Sequence, residues 1–169
     1  MDFYKQIFYK VTNFKEVHHG YIYKDGLNIL DKSFELTGSC VVGGLYFTTL
    51  EHIHKFYDYG CFLREITLPV ENNDFQVVQD NDKYRANMVI FGKRYSLSDP
   101  TTFEKLGLIV PSPKILGVFA AQDGCLERLK EAYKNGCPND ILICVHATEN
   151  NHKELLKWII DMPYLNSAT

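Results

Sequence analysis

Several segments of the first hundred residues alternate between apolar and polar positions with a period of two, the pattern of half-buried β-strands. Asp25-Gly26 interrupts one such run and indicates a turn. Asp80-Asn81-Asp82 separates the last two runs, which are therefore predicted to pair as a hairpin. The predicted strand segments are 1–12, 21–30, 62–70, 75–79 and 84–95.

One helix is predicted among these strands, between the short apolar run Leu45-Tyr46-Phe47 and Gly60. Thr48 and Glu51 have the spacing of a capping box at its start. Four apolar residues then recur at helical spacing and share one face: Leu50, Ile53, Phe56 and Tyr57.

After residue 98 the pattern changes to helices separated by Gly and Asn. Pro100 and Pro113 each follow a capping residue and occupy the first helical position. The segment 118–133 aligns with 145–160 at an offset of about 27 residues, so each unit is expected to be a helix, a tight turn and a second helix. The matching pairs are Val118 and Val145, Ala120 and Ala147, Glu127 and Glu154, Leu129 and Leu156, and Lys130 and Lys157.

These patterns predict an α+β protein in two parts. Residues 1–98 form a β-rich domain with one or two short helices, and residues 99–169 form an all-helical pair of repeats. A solenoid needs roughly three repeats to be stable, and this chain has about two. We therefore expect the pair to dock on the first domain, and residues 99–169 expressed alone should not melt cooperatively.

Composition narrows the function classes. The chain has 169 residues, a net charge of −3 and scattered Lys and Arg, which argues against a nucleic-acid partner. It has no apolar run of membrane-spanning length and no signal peptide, so a cytoplasmic location is expected. The five cysteines are an odd number without zinc-finger spacing, and free thiols are expected. The oligomeric state is not indicated.

No metal site or cofactor motif is predicted. His52 and His54 are two apart, so on a helix they face different directions and cannot chelate together. No phosphate loop, Gly-x-Gly-x-x-Gly or Gly-x-Ser-x-Gly motif occurs, and no catalytic residue is assigned. The residues favour a non-enzymatic protein.

The repeat unit contains Leu126-Glu127-Arg128-Leu129-Lys130 followed by Asn135-Gly136-Cys137-Pro138. It resembles the ankyrin-like repeats of giant DNA viruses of amoebae. The N-terminal part resembles the leader domain of the same proteins through segments that include Lys10-Val11-Thr12-Asn13, Gly43-Gly44-Leu45-Tyr46-Phe47 and Tyr84-Arg85-Ala86-Asn87. The resemblance implies a viral protein that binds a protein partner through stacked repeats in the host cell. Trp158 and Tyr133 are the candidate partner-binding residues, because aromatic side chains are enriched at binding hot spots.

A second resemblance points to an enzyme fold. The order His19-Gly20, Gly26-Leu27, Gly44-Leu45-Tyr46-Phe47 and Leu63-Arg64-Glu65 is similar to that of ADP-ribosyltransferases. It implies that His19 and Tyr46, with Arg85, would bind NAD or ADP-ribose. The strand candidate from Lys83 to Ile90 contains no Glu for the expected catalytic position, which favours a degenerate or merely binding fold. The simpler alternative is that Tyr46 is a core aromatic residue and His19 a turn residue.

Overall fold

The strands of the first half form a seven-stranded sheet, and the second half is helical. The computed structural model describes residues 5–162. It separates two compact units, Met1–Arg94 and Tyr95–Thr169. The prediction of an α+β protein with a β-rich first part and a helical second part is confirmed. The strands are β1 Phe8–Thr12, β2 Val17–His18, β3 Tyr21–Ile22, β4 Gly26–Ile29, β5 Leu45–Thr48, β6 Phe62–Thr67, β7 Val77–Asp80, β8 Lys83–Ala86 and β9 Met88–Ser96.

The large sheet has the strand order β4-β9-β6-β1-β5-β8-β7, and β2 and β3 form a separate two-stranded sheet. β1 lies at the centre. All five of its residues are buried and are in antiparallel register with β6, from Phe8 opposite Ile66 to Thr12 opposite Phe62. The hairpin predicted around Asp80-Asn81-Asp82 is present as β7 and β8.

The predicted strand 84–95 is divided at Asn87. β8 pairs with β5 and β7, whereas β9 pairs with β4 and is a neighbour of β6. Since only Asn87 separates Ala86 from Met88, the sheet must curve back on itself to bring these two positions together. The Asn87 side chain accepts a hydrogen bond from the Gln76 N–H and donates one to the Asp74 carbonyl, and its own carbonyl accepts the Leu30 N–H. The single-strand prediction was wrong here, because period-two alternation continues unchanged through such a corner.

Aromatic side chains fill the inside of this curved sheet. The rings of Phe8 and Phe47 meet edge to face with centroids 5.0 Å apart, and the rings of Tyr23 and Phe91 stack at 4.8 Å. Such pairs stabilise a core beyond the area that they bury. The buried cluster consists of Phe8, Tyr23, Leu45, Phe47, Ile66, Leu68, Ala86, Val89 and Phe91.

The helix predicted before Gly60 is a 3-10 helix over Leu50–Tyr59. The capping-box prediction was wrong. Thr49 precedes the helix without a side-chain cap, and the Thr48 hydroxyl donates instead to the Asp82 carbonyl across the sheet. A long-range hydrogen bond at a buried position has therefore displaced the local cap.

The second unit consists of a short helix followed by two helical hairpins. The capping carboxylates of Asp99 and Asp140 accept hydrogen bonds from the N–H groups of Thr101 and Leu142. The Gln122 carbonyl accepts hydrogen bonds from the Asn150 amide at 3.1 Å and lies 3.0 Å from His152 Nε2, which joins the two repeats. The helices are α1 Pro100–Leu106, α2 Pro113–Asp123, α3 Leu126–Lys134, α4 Ile141–Glu149 and α5 Lys153–Ile160.

The Asn-Gly-Cys-Pro link between the repeats has a packing role. Cys137 is buried, and its Sγ lies so close to Gly117 that a Cβ on that glycine would be 2.7 Å away. Burial raises the pKa of the Cys137 thiol, so it packs as a small apolar residue. The link between the repeats therefore packs against α2 and completes the helical core there.

Candidate functional site

A cavity of about 120 Å³ opens in the first unit beside the central strand. Aromatic and aliphatic side chains form most of its wall, with a few basic groups among them. Its lining residues are Tyr9, Lys10, Val11, His18, Cys40, Tyr46, Phe47, Thr48, Ile53, Phe56, Tyr59 and Lys83.

The cavity lies where two neighbouring strands diverge. β1 and β5 are in register only at Tyr9 and Thr48, whereas β5 pairs along its full length with β8. In the gap, Nζ of Lys10 donates a hydrogen bond of 2.9 Å to the Tyr46 carbonyl, which would otherwise face an unpaired strand edge. A hydrogen bond from the lysine side chain thus replaces a backbone hydrogen bond that is missing between β1 and β5.

Lys10 is buried, with 7% of its surface exposed. Its Nζ lies 5.0 Å from the centre of the Tyr23 ring, a cation–π distance. Burial lowers the pKa of Lys10 from 10.5 to about 7. Near neutral pH the amine therefore exists in both protonation states, which is uncommon for lysine.

His18 lies on the hairpin of β2 and β3. Its ring packs against His19 at 4.1 Å and edge to face against Tyr59 at 5.3 Å. Burial, followed by the charges of Lys10 and His19, lowers the pKa of His18 to about 4. The imidazole is therefore neutral at physiological pH, and it offers one donor and one acceptor.

Elsewhere in the cavity wall, the Cys40 thiol lies 2.9 Å from Lys83 Nζ. Hydrogen bonds from Lys83 and then Ser39 lower the pKa of Cys40, which favours the thiolate. Lys83 also lies 4.9 Å from the centre of the Tyr46 ring and 3.9 Å from the Asp80 carboxylate. The charge of Lys83 is thus matched by neighbouring groups.

The structure brings one of the three predicted nucleotide-binding residues into this cavity. Tyr46 forms part of the wall, and its hydroxyl donates to the Val41 carbonyl at 2.8 Å. His19 is exposed on a turn with φ of 50° and is not among the lining residues; its neighbour His18 is. None of the twelve lining residues is Asp or Glu.

Arg85 is fully buried outside the cavity wall. Its Nε and Nη2 donate to the carbonyls of Glu35 and Thr37, at 2.9 and 3.1 Å. Gly44 packs directly against the arginine stem, where a Cβ would approach to 2.8 Å. These contacts hold the segment before β5 against β8.

Sequence reasoning assigned no site role to Lys10, His18, Cys40 or Lys83. The available signal was a lysine between Tyr9 and Val11, within a run of buried strand residues. A charged side chain at such a position must find partners in the interior.

In the second unit, Tyr133 on α3 and Trp158 on α5 are in contact. Their rings meet edge to face with centroids 5.5 Å apart, and Lys130 Nζ lies 6.0 Å from the indole. Both side chains are half-buried against the helical core. These two predicted partner-binding residues therefore lie together at the boundary between core and solvent.

A second surface of this unit lies on helices α2 and α4, which pack against each other. Ile115, Leu142 and Val145 are 43%, 45% and 38% exposed. Ile115 and Leu142 occupy equivalent positions of the two repeats, as do Val118 and Val145. Equivalent positions of stacked repeats lie side by side, so we group the exposed Ile115, Leu142 and Val145 with the partly buried Val118 as one aliphatic surface, here called the inner-helix surface.

Residues 5–162 contain neither a cluster of metal ligands nor a membrane-spanning helix. No group of three or more His, Cys, Asp or Glu side chains in that range is arranged to hold a metal ion. No helix in the same range is long and apolar enough to cross a membrane.

The curved sheet followed by two helical hairpins defines an α+β protein of the repeat-containing class, and relatives specify the family. An ankyrin repeat protein of Acanthamoeba polyphaga mimivirus is 46% identical over 137 residues, which are 77% of this chain and 68% of that protein. An uncharacterized protein of the same virus is 44% identical over 102 residues, covering 59% of this chain and 74% of the relative. Another ankyrin repeat protein of the virus is 37% identical, and the match spans 41% of its length.

The chain belongs to this mimivirus family of ankyrin repeat proteins. The resemblance to giant-virus ankyrin proteins, drawn from the repeat and the leader segments, is confirmed. No family model matches the chain. No solved structure matches it either.

Proposed function

We propose that this protein is a non-enzymatic interaction module that binds a protein partner in the cytoplasm of an amoebal host cell. Membership of an ankyrin repeat family supports binding of this kind, because stacked repeats present a continuous surface for partners. The single observation that carries the proposal is the inner-helix surface, where aliphatic side chains at equivalent repeat positions remain exposed.

The chemistry of this surface favours an apolar contact with a polar rim. Ile115, Leu142 and Val145 supply the apolar centre. An ion pair between Lys114 Nζ and Asp140 Oδ2, 2.7 Å apart, joins the two repeats at the start of α2 and α4. Specific interfaces commonly combine such a centre with charged residues at the edge. The partner should therefore present aliphatic or aromatic side chains.

The test is affinity capture from Acanthamoeba cells that express the tagged protein, with quantitative mass spectrometry. The variant is the double substitution Ile115→Ser and Leu142→Ser. A matched control is Ile22→Ser with Leu36→Ser, at side chains that are 70% and 58% exposed in the first unit. Proteins lost with the first variant and retained with the control would support the proposal. Equal recovery with all three proteins would refute the inner-helix surface.

A contribution from the aromatic pair is tested separately. Trp158→Ala and Tyr133→Ala would each remove one ring of the contact at 5.5 Å. If these rings bind the partner, each variant should weaken capture by about tenfold, as hot-spot aromatics do. Thermal melting of the purified variants distinguishes lost binding from lost packing.

A second candidate function is binding of NAD or ADP-ribose by the first unit. The observation that favours it is the place of Tyr46 in the cavity wall. A thermal-shift titration with NAD and ADP-ribose tests it, with Tyr46→Ala and His19→Ala as variants, because a ligand that binds only the native state raises the melting temperature. No shift at millimolar ligand would leave the interaction module as the sole function proposed.

A further inference from the structure

The cavity of the first unit contains basic side chains but no carboxylate in its wall. Lys10, His18 and Lys83 are its basic lining residues, and none of the twelve is Asp or Glu. Two of these three basic side chains offer no unpaired positive charge to a ligand. Lys83 contacts the Cys40 thiol at 2.9 Å and the Asp80 carboxylate at 3.9 Å, and the His18 ring is neutral at physiological pH.

Lys10 is different. Within residues 5–162 no carboxylate lies within ion-pair distance of its Nζ, and its one hydrogen bond is to the neutral Tyr46 carbonyl. An ammonium has three N–H donors. In its protonated form Lys10 is therefore a buried cation with unused donors, and it favours an anion that reaches it.

The other lining residues determine which uncharged group such a ligand can carry. Val11, Phe47 and Ile53 are buried aliphatic and aromatic residues, and the rings of Phe56 and Tyr59 lie nearby at 6.2 Å from each other. The volume of about 120 Å³ is close to the roughly 150 Å³ apolar cavity that holds one benzene ring. One six-membered ring, or an aliphatic chain of equal volume, would fill it.

We propose that this cavity binds a small organic carboxylate with a single ring or a compact aliphatic body, and that Lys10 is its anchoring cation. The carboxylate takes the place between β1 and β5 where the strands diverge, and the apolar body packs against the wall. The site is separate from the inner-helix surface and does not depend on the interaction proposed for it.

Three ligands of nearly equal size test the charge requirement on the wild-type protein. They are benzoate, benzamide and benzylamine, which carry a negative, a neutral and a positive substituent on the same ring. Isothermal titration calorimetry and thermal melting at pH 7 give their affinities. Benzoate should bind at least about tenfold more tightly than benzamide, and benzylamine should not bind, because a charge-assisted hydrogen bond is formed only with the anion.

Lys10→Met then tests the anchor, with Lys24→Met at an exposed position outside the cavity as its matched control. In Lys10→Met the preference for benzoate over benzamide should disappear, whereas Lys24→Met should keep it. If Lys10→Met does not fold, the three ligands measured on the wild-type protein still test whether the cavity prefers a carboxylate. Equal binding of benzamide and benzoate would overturn the carboxylate site and favour a nicotinamide-like ligand. No binding of either ligand at about 10 mM would overturn the site altogether.

Discussion

The guanidinium of Arg85 and the carboxylate of Asp80 form a buried ion pair, with 3.5 Å between Nη1 and Oδ2. Their side chains are 1% and 4% exposed. Each partner also bonds to the segment that precedes β5, which this pair therefore holds against β7 and β8. The groups bound in this way are the Ser39 hydroxyl, the Cys40 N–H, and the carbonyls of Glu35 and Thr37.

Asp80→Asn should destabilise the protein by about 3 kcal/mol, because it leaves the buried Arg85 guanidinium without its counter-charge. Urea unfolding followed by fluorescence measures the change in the free energy of unfolding. Asp82→Asn is the matched control, since Asp82 is 48% exposed and pairs with Lys55 at the surface. That change should cost much less, because an exposed ion pair contributes little to stability. Equal losses would show that the Asp80 pair has no special role.

Lys10 should make stability depend on pH in the alkaline range. Its pKa is about 7 when folded and 10.5 ordinarily, so between these values the unfolded chain holds more protons. The free energy of unfolding must then rise with pH from about 7 to about 10.5, by roughly 5 kcal/mol in total. Below pH 7 the cost of burying the ammonium is present in full.

Lys10→Met removes this cost and should be more stable than the wild type at pH 6. Its advantage should shrink steadily between pH 7 and pH 10 in urea titrations at fixed ionic strength. Lys24→Met, at an exposed position, should follow the wild-type curve throughout. An advantage for Lys10→Met that stays constant with pH would mean that Lys10 is not buried in its charged form.

Gly124 is expected to tolerate no side chain. Its φ is 76°, and a Cβ would lie 2.5 Å from the His152 ring of the second repeat. Gly136 has φ of 95° and nothing within 4 Å of its Cβ position. Both Gly→Ala changes carry backbone strain of about 1 kcal/mol, and Gly124→Ala adds a clash of about 1 to 3 kcal/mol. Thermal melting of both variants isolates the steric contact between the repeats; identical melting temperatures would contradict it.

Asp123 connects the end of α2 to the segment before α1. Its Oδ2 accepts hydrogen bonds from the hydroxyls of Ser96 and Ser98 at 2.5 and 2.7 Å, and its Oδ1 accepts one from the Cys125 N–H. Asp123→Ala should cost about 2 kcal/mol, because three donors lose their acceptor. Asp161→Ala, at an exposed helix end, is the control. A loss no greater than the control's in urea unfolding would refute this role.

Local patterns predicted the helical unit well. The offset of about 27 residues between the repeats correctly located two helical hairpins. The turns at Asp123-Gly124 and Asn150-Asn151 lie between their helices. Such contacts are local in sequence, so periodicity and capping residues specify them. The sheet was predicted less completely. Alternation indicated strands, but it could not show that the chain changes sheet position at Asn87.

The candidate site shows the same division. Tyr46 was chosen from a motif and lies in the cavity wall, while the choice between His18 and His19 depended on the φ of 50° at His19. A sequence pattern cannot distinguish two adjacent histidines. Only the backbone conformation of the turn decides which of them lines the cavity. Lys10 was overlooked because a single lysine in a strand has no motif.

The sequence by itself determined the α+β class, the repeated helical hairpins and the family, because each of these depends on local periodicity or on a run of neighbouring residues. Only the tertiary structure decided the strand order, the divergence of β1 from β5 and the cavity that this divergence creates. The Lys10 hydrogen bond spans 36 residues and the contacts of Arg85 span about 50. Pairings over such distances depend on how all the strands pack together, and no local pattern specifies them.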